Sequence, residues 1–321
     1  MIKKLFAGLV AIALVAAAPA KAQEMKEFNF GIISTEASQN LKSAWQPILD
    51  DMEKKTGMKI NAFFASDYAG IVEGMRFNKV QAAWFGNKSA MEAVDRSNGE
   101  VFAQMVNADG SQGYYSHLIV NKDSPIKTLD DVLKNGKNLS FGNGDPNSTS
   151  GFLVPSYYVF AKNKIDPKTF FKVTRSANHE TNGLAVANKQ IDVATINSEV
   201  MDHMKEQQSA KFNEIRIIWT SPLIPLDPLV MRKDVPPAAA KAVRDFFYTY
   251  GKSGSQQEKD NLMKLNKLSG FKASTNAQLT PIRQLELFKE RNKFEADTAM
   301  SMPDKQVKIA EIDKKLAELS K

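Results

Sequence analysis

Short apolar runs alternate with amphipathic stretches along most of this chain. Residues 28–33 and 58–64 have the length and character of strands, and residues 41–56 between them repeat apolar positions at helical spacing up to Gly57. Further strand-like runs occupy residues 101–106, 139–141, 193–196 and 215–220. Strands that alternate with helices in this way predict an α/β fold with mainly parallel sheets.

Two segments are typical of crossings between domains. An apolar run ends in a turn at residues 116–125, and a proline-rich path that cannot be helical occupies residues 221–228. If the chain crosses at both, residues 115–227 form lobe 2, while residues 23–114 and 228–300 together form a discontinuous lobe 1. A ligand is then expected in the cleft between the lobes, at the carboxyl ends of the strands.

Residues 1–22 have the pattern of a secretory signal peptide. Two lysines precede an uncharged run rich in Ala, Leu and Val, and the small residues Ala20 and Ala22 precede the expected cleavage point. A buried N-terminal helix is the alternative, but it would show a polar face. No cysteine follows the run for lipid attachment, so we expect a soluble protein exported to the periplasm.

The composition narrows the chemistry that is open to the chain. It contains no cysteine, which excludes disulfides, thiolate catalysis and cysteine-ligated metals. The formal net charge is +7, and three of the lysines lie in the segment predicted to be removed, which leaves +4. Because lysine and glutamate are interspersed, this charge is typical of a soluble surface and does not indicate nucleic-acid binding.

The C-terminal region is predicted to be helical and rich in Lys and Glu. Residues 280–293 form one candidate helix, and residues 301–321 contain an amphipathic second one. Its apolar stripe consists of Ile309, Ile312, Leu316 and Leu319. The stripe can dock on the chain's own lobe or form the seam of a homodimer, and it is too short to predict a coiled coil.

The segment from residue 138 to 160 is the most informative one. Ser148, Thr149 and Ser150 follow a glycine-containing turn and stand just before an apolar helix. Free backbone N–H groups make such a helix start an anion site, and hydroxyls add donors without adding charge. The pattern predicts a site for a tetrahedral oxyanion, with plain helix capping as the alternative. Pro155 lies deep enough in this helix that we expect one broken hydrogen bond.

No catalytic motif accompanies this segment. An HExxH pattern is absent at His179, and the sequence at 251–253 lacks the upstream glycine of a phosphate-binding loop. His179 and Ser148 could form a base–nucleophile pair, but the local motif has no carboxylate to orient the histidine. We therefore expect a protein that is not an enzyme and that has neither a cofactor nor a metal site.

Several long runs are distinctive of one family. They are FNFGIISTE from residue 28, NAFFASDYAGIVEGMRFNKV, FGNGDPNSTSGFLVPSYYVFAKN, HETNGLAVANKQIDVAT and SPLIPLDP. In these runs, and as far as about residue 290, the chain resembles the phosphonate-binding periplasmic subunits of phosphonate ABC transporters. The resemblance implies a type II periplasmic binding protein with two lobes, each a mainly parallel sheet flanked by helices. It also implies an inner-membrane permease, with its ATPase, as a partner.

The resemblance further implies which residues hold the anionic end of the ligand. In that family the phosphonate oxygens are bound by the S-T-S run, and a tyrosine and a histidine assist it. The matching residues here are Ser148, Thr149, Ser150, Tyr68 of the DYAG motif and His179 of the HET motif.

The other end of the ligand carries an ammonium group in the same family. Carboxylates that match Glu199 and Asp227 receive it, together with a tyrosine that matches Tyr114. Leu226, just before Asp227, departs from the pattern, because a small residue is more usual there. This difference could shift the Asp227 backbone and change the affinity.

These observations predict a receptor that captures a phosphonate, with 2-aminoethylphosphonate as the expected cargo, for an ABC importer. Two other hypotheses stay open: a receptor for phosphate, phosphite or an alkylphosphonate, and a periplasmic phosphoester hydrolase with an unrecognised nucleophile or metal. Glu199 and Asp227 discriminate among the cargoes, because two carboxylates repel a bare anion and attract an aminoalkyl chain.

Overall fold

The computed structural model describes residues 25–252 and 254–320 of the chain. The predicted signal peptide, residues 1–22, lies outside these residues, and its cleavage stays a prediction. Among the described residues, no helix combines the length and the apolar character needed to cross a membrane.

Helices and strands alternate along the described residues. The strands are β1 (Glu27–Ile32), β2 (Lys59–Phe64), β3 (Ala82–Trp84), β4 (Gly99–Asn107), β5 (Gly113–Tyr114), β6 (Ser116–Asn121), β7 (Ser140–Asn143), β8 (Val173–Ser176), β9 (Val193–Asn197), β10 (Ile215–Thr220), β11 (Ile224–Pro225), β12 (Pro228–Arg232) and β13 (Leu268–Ala273). The helices are α1 (Ser38–Thr56), α2 (Tyr68–Arg76), α3 (Asn87–Arg96), α4 (Leu129–Asn135), α5 (Pro167–Phe170), α6 (His179–Ala187), α7 (Ser198–Gln207), α8 (Ser209–Phe212), α9 (Pro237–Thr249), α10 (Gln256–Asn266), α11 (Thr280–Ala296) and α12 (Met302–Glu318).

The strands form two large sheets. The first sheet has six strands in the order β13-β4-β12-β3-β1-β2, and the second has five in the order β10-β6-β9-β7-β8. The chain leaves the first sheet after β4 and returns to it with β12. The short strands β5 and β11 lie on these two passages and pair with each other, so the two crossings run side by side.

Both sheets are mixed, whereas the sequence predicted mainly parallel ones. β1 is parallel to β2 and β3, and β7 is parallel to β8 and β9. The pairs that include β4, β6 or β12 are antiparallel. The cause is the path of the chain, because these three strands adjoin a crossing between the sheets, whereas the parallel strands are joined by helical crossovers. The predicted α/β class is confirmed.

Clusters of aromatic side chains pack against both sheets. In the first sheet the ring of Trp45 lies 5.2 Å from that of Phe30 and 5.6 Å from that of Trp84, measured between centroids. In the second sheet the rings of Phe141 and Phe171 are stacked at 4.5 Å. Such buried aromatic rings stabilise the fold through the apolar area that they bury and through their ring-to-ring contacts, and they hold Trp84 of β3 and Phe141 of β7 in place.

The helix predicted after the serine–threonine run consists of two π-helical turns, Thr149–Leu153 and Ser156–Phe160. Pro155 lies between them and has no N–H group to donate. The expected break in helical bonding is therefore confirmed at Pro155, and the wider π-turns are a further consequence that the sequence did not predict.

The C-terminal helix α12 packs on α11 of the same chain. Ile312 is buried, the other three residues of the predicted apolar stripe are half-buried, and Arg291 on α11 contacts Asp313 at 2.8 Å. The stripe is thus covered within the chain. This packing corresponds to the docking alternative, and it leaves no support for a homodimer through the stripe.

We expect Ile312→Ala to loosen α12, because truncation of a buried isoleucine costs about 2 kcal/mol or more. Val307→Ala is the matched control, since Val307 lies on the same helix and is 57% exposed. Hydrogen exchange should become faster across residues 302–318 in the first variant and stay unchanged in the second. Equal exchange rates in the two variants would contradict this packing.

Candidate functional site

The serine–threonine run forms a turn that we call the hydroxyl turn, Ser148 to Ser150. The Ser148 oxygen accepts a hydrogen bond from the N–H of Gly151 at 2.9 Å, and the Thr149 oxygen accepts one from the N–H of Lys88 at 2.8 Å. A hydroxyl has one hydrogen to donate and two lone pairs. Because Ser148 and Thr149 accept from backbone N–H groups, their own hydrogens stay available for an anion. Capping and anion binding are therefore compatible.

Pro155 anchors the hydroxyl turn indirectly. It cannot donate to the carbonyls of the preceding turn, and these carbonyls are bound by groups of the second sheet instead. The Ser150 carbonyl accepts from the Ser116 hydroxyl at 2.6 Å. The Gly151 carbonyl accepts from the Thr195 hydroxyl at 2.8 Å and from the N–H of Gly144 at 2.9 Å. The turn is thus tied to the second sheet.

Close backbone approach at Gly144 and Gly151 is part of this anchoring. A Cβ atom on Gly144 would lie 2.4 Å from the Gly151 carbonyl carbon, and one on Gly151 would lie 2.9 Å from the Ser148 hydroxyl. Both distances are too short for real side chains, so the turn requires glycine at these two positions.

His179 opens helix α6 and faces the hydroxyl turn. Its Nε2 atom lies 3.4 Å from the hydroxyl oxygens of both Ser148 and Ser150. Burial lowers the pKa of His179 to about 4, so the ring is neutral at physiological pH. Nδ1 is buried and has no hydrogen-bond partner among the described residues. The imidazole therefore adds one N–H donor or one acceptor to the site, and no fixed charge.

Tyr68 opens helix α2 and links the two ends of the site. Burial, followed by the charges of Asp145 and Asp227, raises its pKa well above the ordinary value of 10, while a hydrogen bond with Ser148 opposes this. The phenol therefore keeps its proton and can donate it. Since Tyr68 interacts with Ser148 and also with Asp227 and Glu199, the hydroxyl turn and the carboxylates belong to one site.

Asp227 lies buried between β11 and β12. One carboxylate oxygen accepts from the Tyr114 hydroxyl and the other from the Trp84 indole N–H, both at 3.1 Å. Burial raises the pKa of Asp227 to about 7, even though these two hydrogen bonds oppose the shift. No cationic side chain contacts this carboxylate in the described part of the chain. A ligand cation would supply the missing charge.

Glu199 lies in the first turn of α7. Its carboxylate accepts from the Asn197 side-chain amide at 3.2 Å. Burial, then the negative charges of Asp227 and Glu36, raises its pKa well above 4.5. The side chain also borders a cavity of about 400 Å³ whose lining includes Tyr114, so water reaches one side of it. Glu199 and Asp227 together form an end of the site that lacks a cation.

The predicted site residues meet in one place, and all but Glu199 are almost fully buried. Two residues of the site were not predicted from the sequence: Trp84, whose indole N–H donates to Asp227, and Lys88, whose backbone N–H donates to Thr149. No strand was predicted at residues 82–84, although the short apolar run that ends at Trp84 could have indicated one. Leu226 is buried, and its carbonyl accepts from the side chains of Gln104 at 3.1 Å and Gln278 at 2.8 Å, which hold the backbone just before Asp227.

The described residues include no cluster of three or more His, Asp or Glu side chains arranged to bind a metal ion. What the site offers is neutral donors at one end and carboxylates at the other. This arrangement can bind a small molecule that has an oxyanion at one end and a cation at the other.

The chain is similar in sequence to proteins of two bacteria. The chain is 58% identical to the phosphonates-binding periplasmic protein of Escherichia coli over 304 residues, 94% of this chain and 89% of that protein. It is 30% identical to the phosphate-import protein of Mycolicibacterium smegmatis over 202 residues, 60% of this chain and 62% of that one.

A crystal structure from Pseudomonas aeruginosa is also similar. It is a binding protein component of an ABC phosphonate transporter, 54% identical, with a TM-score of 0.90 over 92% of this chain and 97% of that one. Residues 30–279 match the family described as the periplasmic substrate-binding protein of a phosphonate ABC transporter. With a match over most of its length, the chain belongs to this family of periplasmic phosphonate-binding proteins that serve ABC transporters.

Proposed function

We propose that this protein captures 2-aminoethylphosphonate and delivers it to the permease and ATPase of an ABC importer. One observation carries this choice of cargo. Asp227 is buried with two neutral donors, has a pKa raised to about 7, and lies near Glu199 at one end of a site whose other end offers neutral donors. An ammonium group would relieve the desolvation of both carboxylates.

In the proposed pose, each end of the ligand binds at one end of the site. Tyr68 and the hydroxyl turn donate to the phosphonate oxygens, together with His179. Charge-assisted hydrogen bonds from neutral donors bind an oxyanion reversibly and with defined geometry. Glu199 and Asp227 receive the ammonium group, and the Tyr114 hydroxyl holds Asp227 in place.

Each sheet supports one lobe in this proposal. Residues 23–114 and 228–300 make up lobe 1, and residues 115–227 make up lobe 2. Tyr68 then comes from lobe 1, whereas the hydroxyl turn, His179 and Glu199 come from lobe 2. Asp227 is the last residue of the lobe 2 segment, and there it accepts from the Trp84 indole of the first sheet. A ligand that contacts both lobes binds the closed form better and shifts the population toward it.

The proposed role is binding without catalysis. A serine nucleophile needs a histidine base, and that base needs an acceptor at its other nitrogen. Nδ1 of His179 has no such partner within residues 25–252 and 254–320, and burial keeps the ring neutral with a pKa of about 4.

Phosphate is the second candidate cargo. The relative from Mycolicibacterium smegmatis is named as a phosphate-import protein, and it shares 30% identity with this chain. Phosphate would fill the hydroxyl turn but would leave Asp227 and Glu199 without a cation. The two carboxylates therefore favour the amino compound.

Calorimetric titration of the mature protein tests the cargo. We expect 2-aminoethylphosphonate to bind more tightly than methylphosphonate or phosphate, and Asp227→Ala to abolish that preference. Loss of one partner from a desolvated charge pair costs roughly 2–5 kcal/mol, about thirtyfold or more in affinity. Methylphosphonate has no ammonium group, so its affinity should hold steady or rise.

Ser150→Ala is the matched control in the same site. Removal of this hydroxyl should weaken 2-aminoethylphosphonate and methylphosphonate together, because both carry the phosphonate group. Equal weakening of both ligands by Asp227→Ala would instead show that Asp227 supports only the hinge. The proposed cargo would then be phosphonates in general, without a preference for the amino compound.

The preference for the amino compound should depend on pH. The pKa of Asp227 is about 7 in the ligand-free site, and an ammonium group beside the carboxylate would lower it. Binding below pH 7 therefore has to displace a proton. The affinity ratio of 2-aminoethylphosphonate to methylphosphonate should rise with pH, by at most about tenfold per unit, and level off above pH 7.

The same ratio measured in Asp227→Asn provides the control. This variant has no Asp227 proton to displace, so its ratio should be low and should depend less on pH between 5.5 and 8.5 than the ratio of the unmodified protein. A constant ratio in the unmodified protein would contradict an ammonium partner for Asp227.

A further inference from the structure

The helices that follow the parallel strands of the first sheet begin at the interface with the second sheet. Helix α1 begins after β1 with Ala37 at its N-cap, and Ala37 has no side-chain group that can cap the helix. The first turn of α1 also has no acidic residue. The start of a helix presents unpaired N–H groups and a partial positive charge, so α1 needs an acceptor from elsewhere.

Glu180 supplies this acceptor from the side of the second sheet. One carboxylate oxygen accepts from the N–H of Ala37 at 2.7 Å, and the other accepts from the Asn40 side-chain amide at 3.1 Å. The second oxygen also accepts from Gln208, which follows α7, at 2.8 Å. The Glu180 side chain is buried, at 7% exposure, so its carboxylate lies enclosed between helix α1 and the elements of the second sheet. The carboxylate thus caps α1 across the cleft.

Glu180 is adjacent in sequence to His179, which faces the hydroxyl turn. Both residues lie in the first turn of α6, so any movement that carries His179 toward the cleft carries Glu180 toward α1. A neighbouring contact supports the same approach, because Glu36 just before Ala37 pairs with His203 of α7 at 2.7 Å. Capping of α1 and completion of the ligand site are therefore expected to occur in a single movement.

The other two helix starts of the first sheet are contacted in the same way. The N–H of Tyr68, at the start of α2, is accepted by the Asp145 carboxylate at 3.1 Å. The N–H of Lys88, in the first turn of α3, is accepted by Thr149. Among the three acceptors, only Glu180 binds two residues of one helix and is also held on its own side.

We propose that Glu180 is a positioning residue that closes the cleft by capping helix α1 from the opposite lobe, and that it thereby sets the affinity for every ligand of the site. The proposal rests on the closure of two lobes around a ligand, as given above. Opening would leave α1 without its acceptor and the Glu180 charge with only Gln208. The apparent affinity of any ligand is the intrinsic affinity scaled by the population of the closed form, so a closure residue acts on all ligands alike.

Glu180→Gln tests this with little change in volume. The variant keeps an acceptor oxygen but loses the charge that interacts with the helix start. We expect 2-aminoethylphosphonate and methylphosphonate to weaken by the same factor, about tenfold, with their affinity ratio unchanged. Glu214→Gln is the matched control, since Glu214 pairs with Lys122 on the side of the second sheet alone, and it should leave both affinities within twofold.

Closure can be measured directly with a pair of spin labels. The chain has no cysteine, so Lys42→Cys on α1 and Lys205→Cys on α7 place one label on each side, both at exposed positions. At a ligand concentration that half-saturates the unmodified protein, Glu180→Gln should show a larger fraction of long distances. At saturating ligand the two proteins should reach the same short distance.

Asn40→Ala is a milder second variant that removes one donor to Glu180 from α1. It should weaken both ligands together by about threefold. Unchanged affinities in both Glu180→Gln and Asn40→Ala would overturn the proposal. A loss confined to one ligand would also overturn it, because Glu180 would then act by contact with that ligand.

The same measurements separate this proposal from the choice of cargo. If the unmodified protein binds 2-aminoethylphosphonate and methylphosphonate equally, the cargo assignment fails. The common shift in affinity and the label distances would still decide the role of Glu180.

Discussion

The structure depends on one physical constraint: the N-terminal ends of several helices meet at the interface between the two sheets, and their N–H groups require acceptors there. The parallel strands β1, β2 and β3 lead into helices whose first N–H groups donate to acceptors on the side of the second sheet, and the hydroxyl turn and α6 begin on that opposite side. Such a region is electropositive and must be filled by oxygen atoms. Oxygen atoms of Glu180, Asp145 and Thr149 accept from some of these N–H groups within the chain. The donors that remain at the hydroxyl turn suit an oxyanion ligand.

The carboxylate end of the site imposes the opposite requirement. In the described part of the chain no cationic side chain pairs with Asp227 or Glu199, and burial raises the pKa of both groups. Neutral donors from Tyr114 and Trp84 fix the orientation of Asp227 without compensating its charge. In the proposed pose, the site would therefore discriminate by charge at both ends, with no Lys or Arg side chain among the described residues assigned to the anion.

The sequence predicted the local features of the fold and the site well. The strand that ends before the hydroxyl turn, the break at Pro155 and the α/β class could be inferred because each depends on residues close together in the chain. Antiparallel pairing in the sheets could not, since it depends on which strands adjoin the crossings. The contact between Glu180 and Ala37 joins residues 143 positions apart, and no local pattern reports it.

The anchoring of the hydroxyl turn has a consequence for the order of events when a ligand arrives. Ser116, Gly144 and Thr195, which hold the carbonyls freed by Pro155, all lie on the side of the second sheet. Under the proposed closure, the hydroxyl turn would keep its shape in the open and the closed form, whereas Tyr68 and Asp227 would reach a ligand only as the first sheet approaches. In the proposed pose, the hydroxyl turn and Glu199 would meet the ligand at encounter, and the contacts with Tyr68 and Asp227 would be added by the closing step.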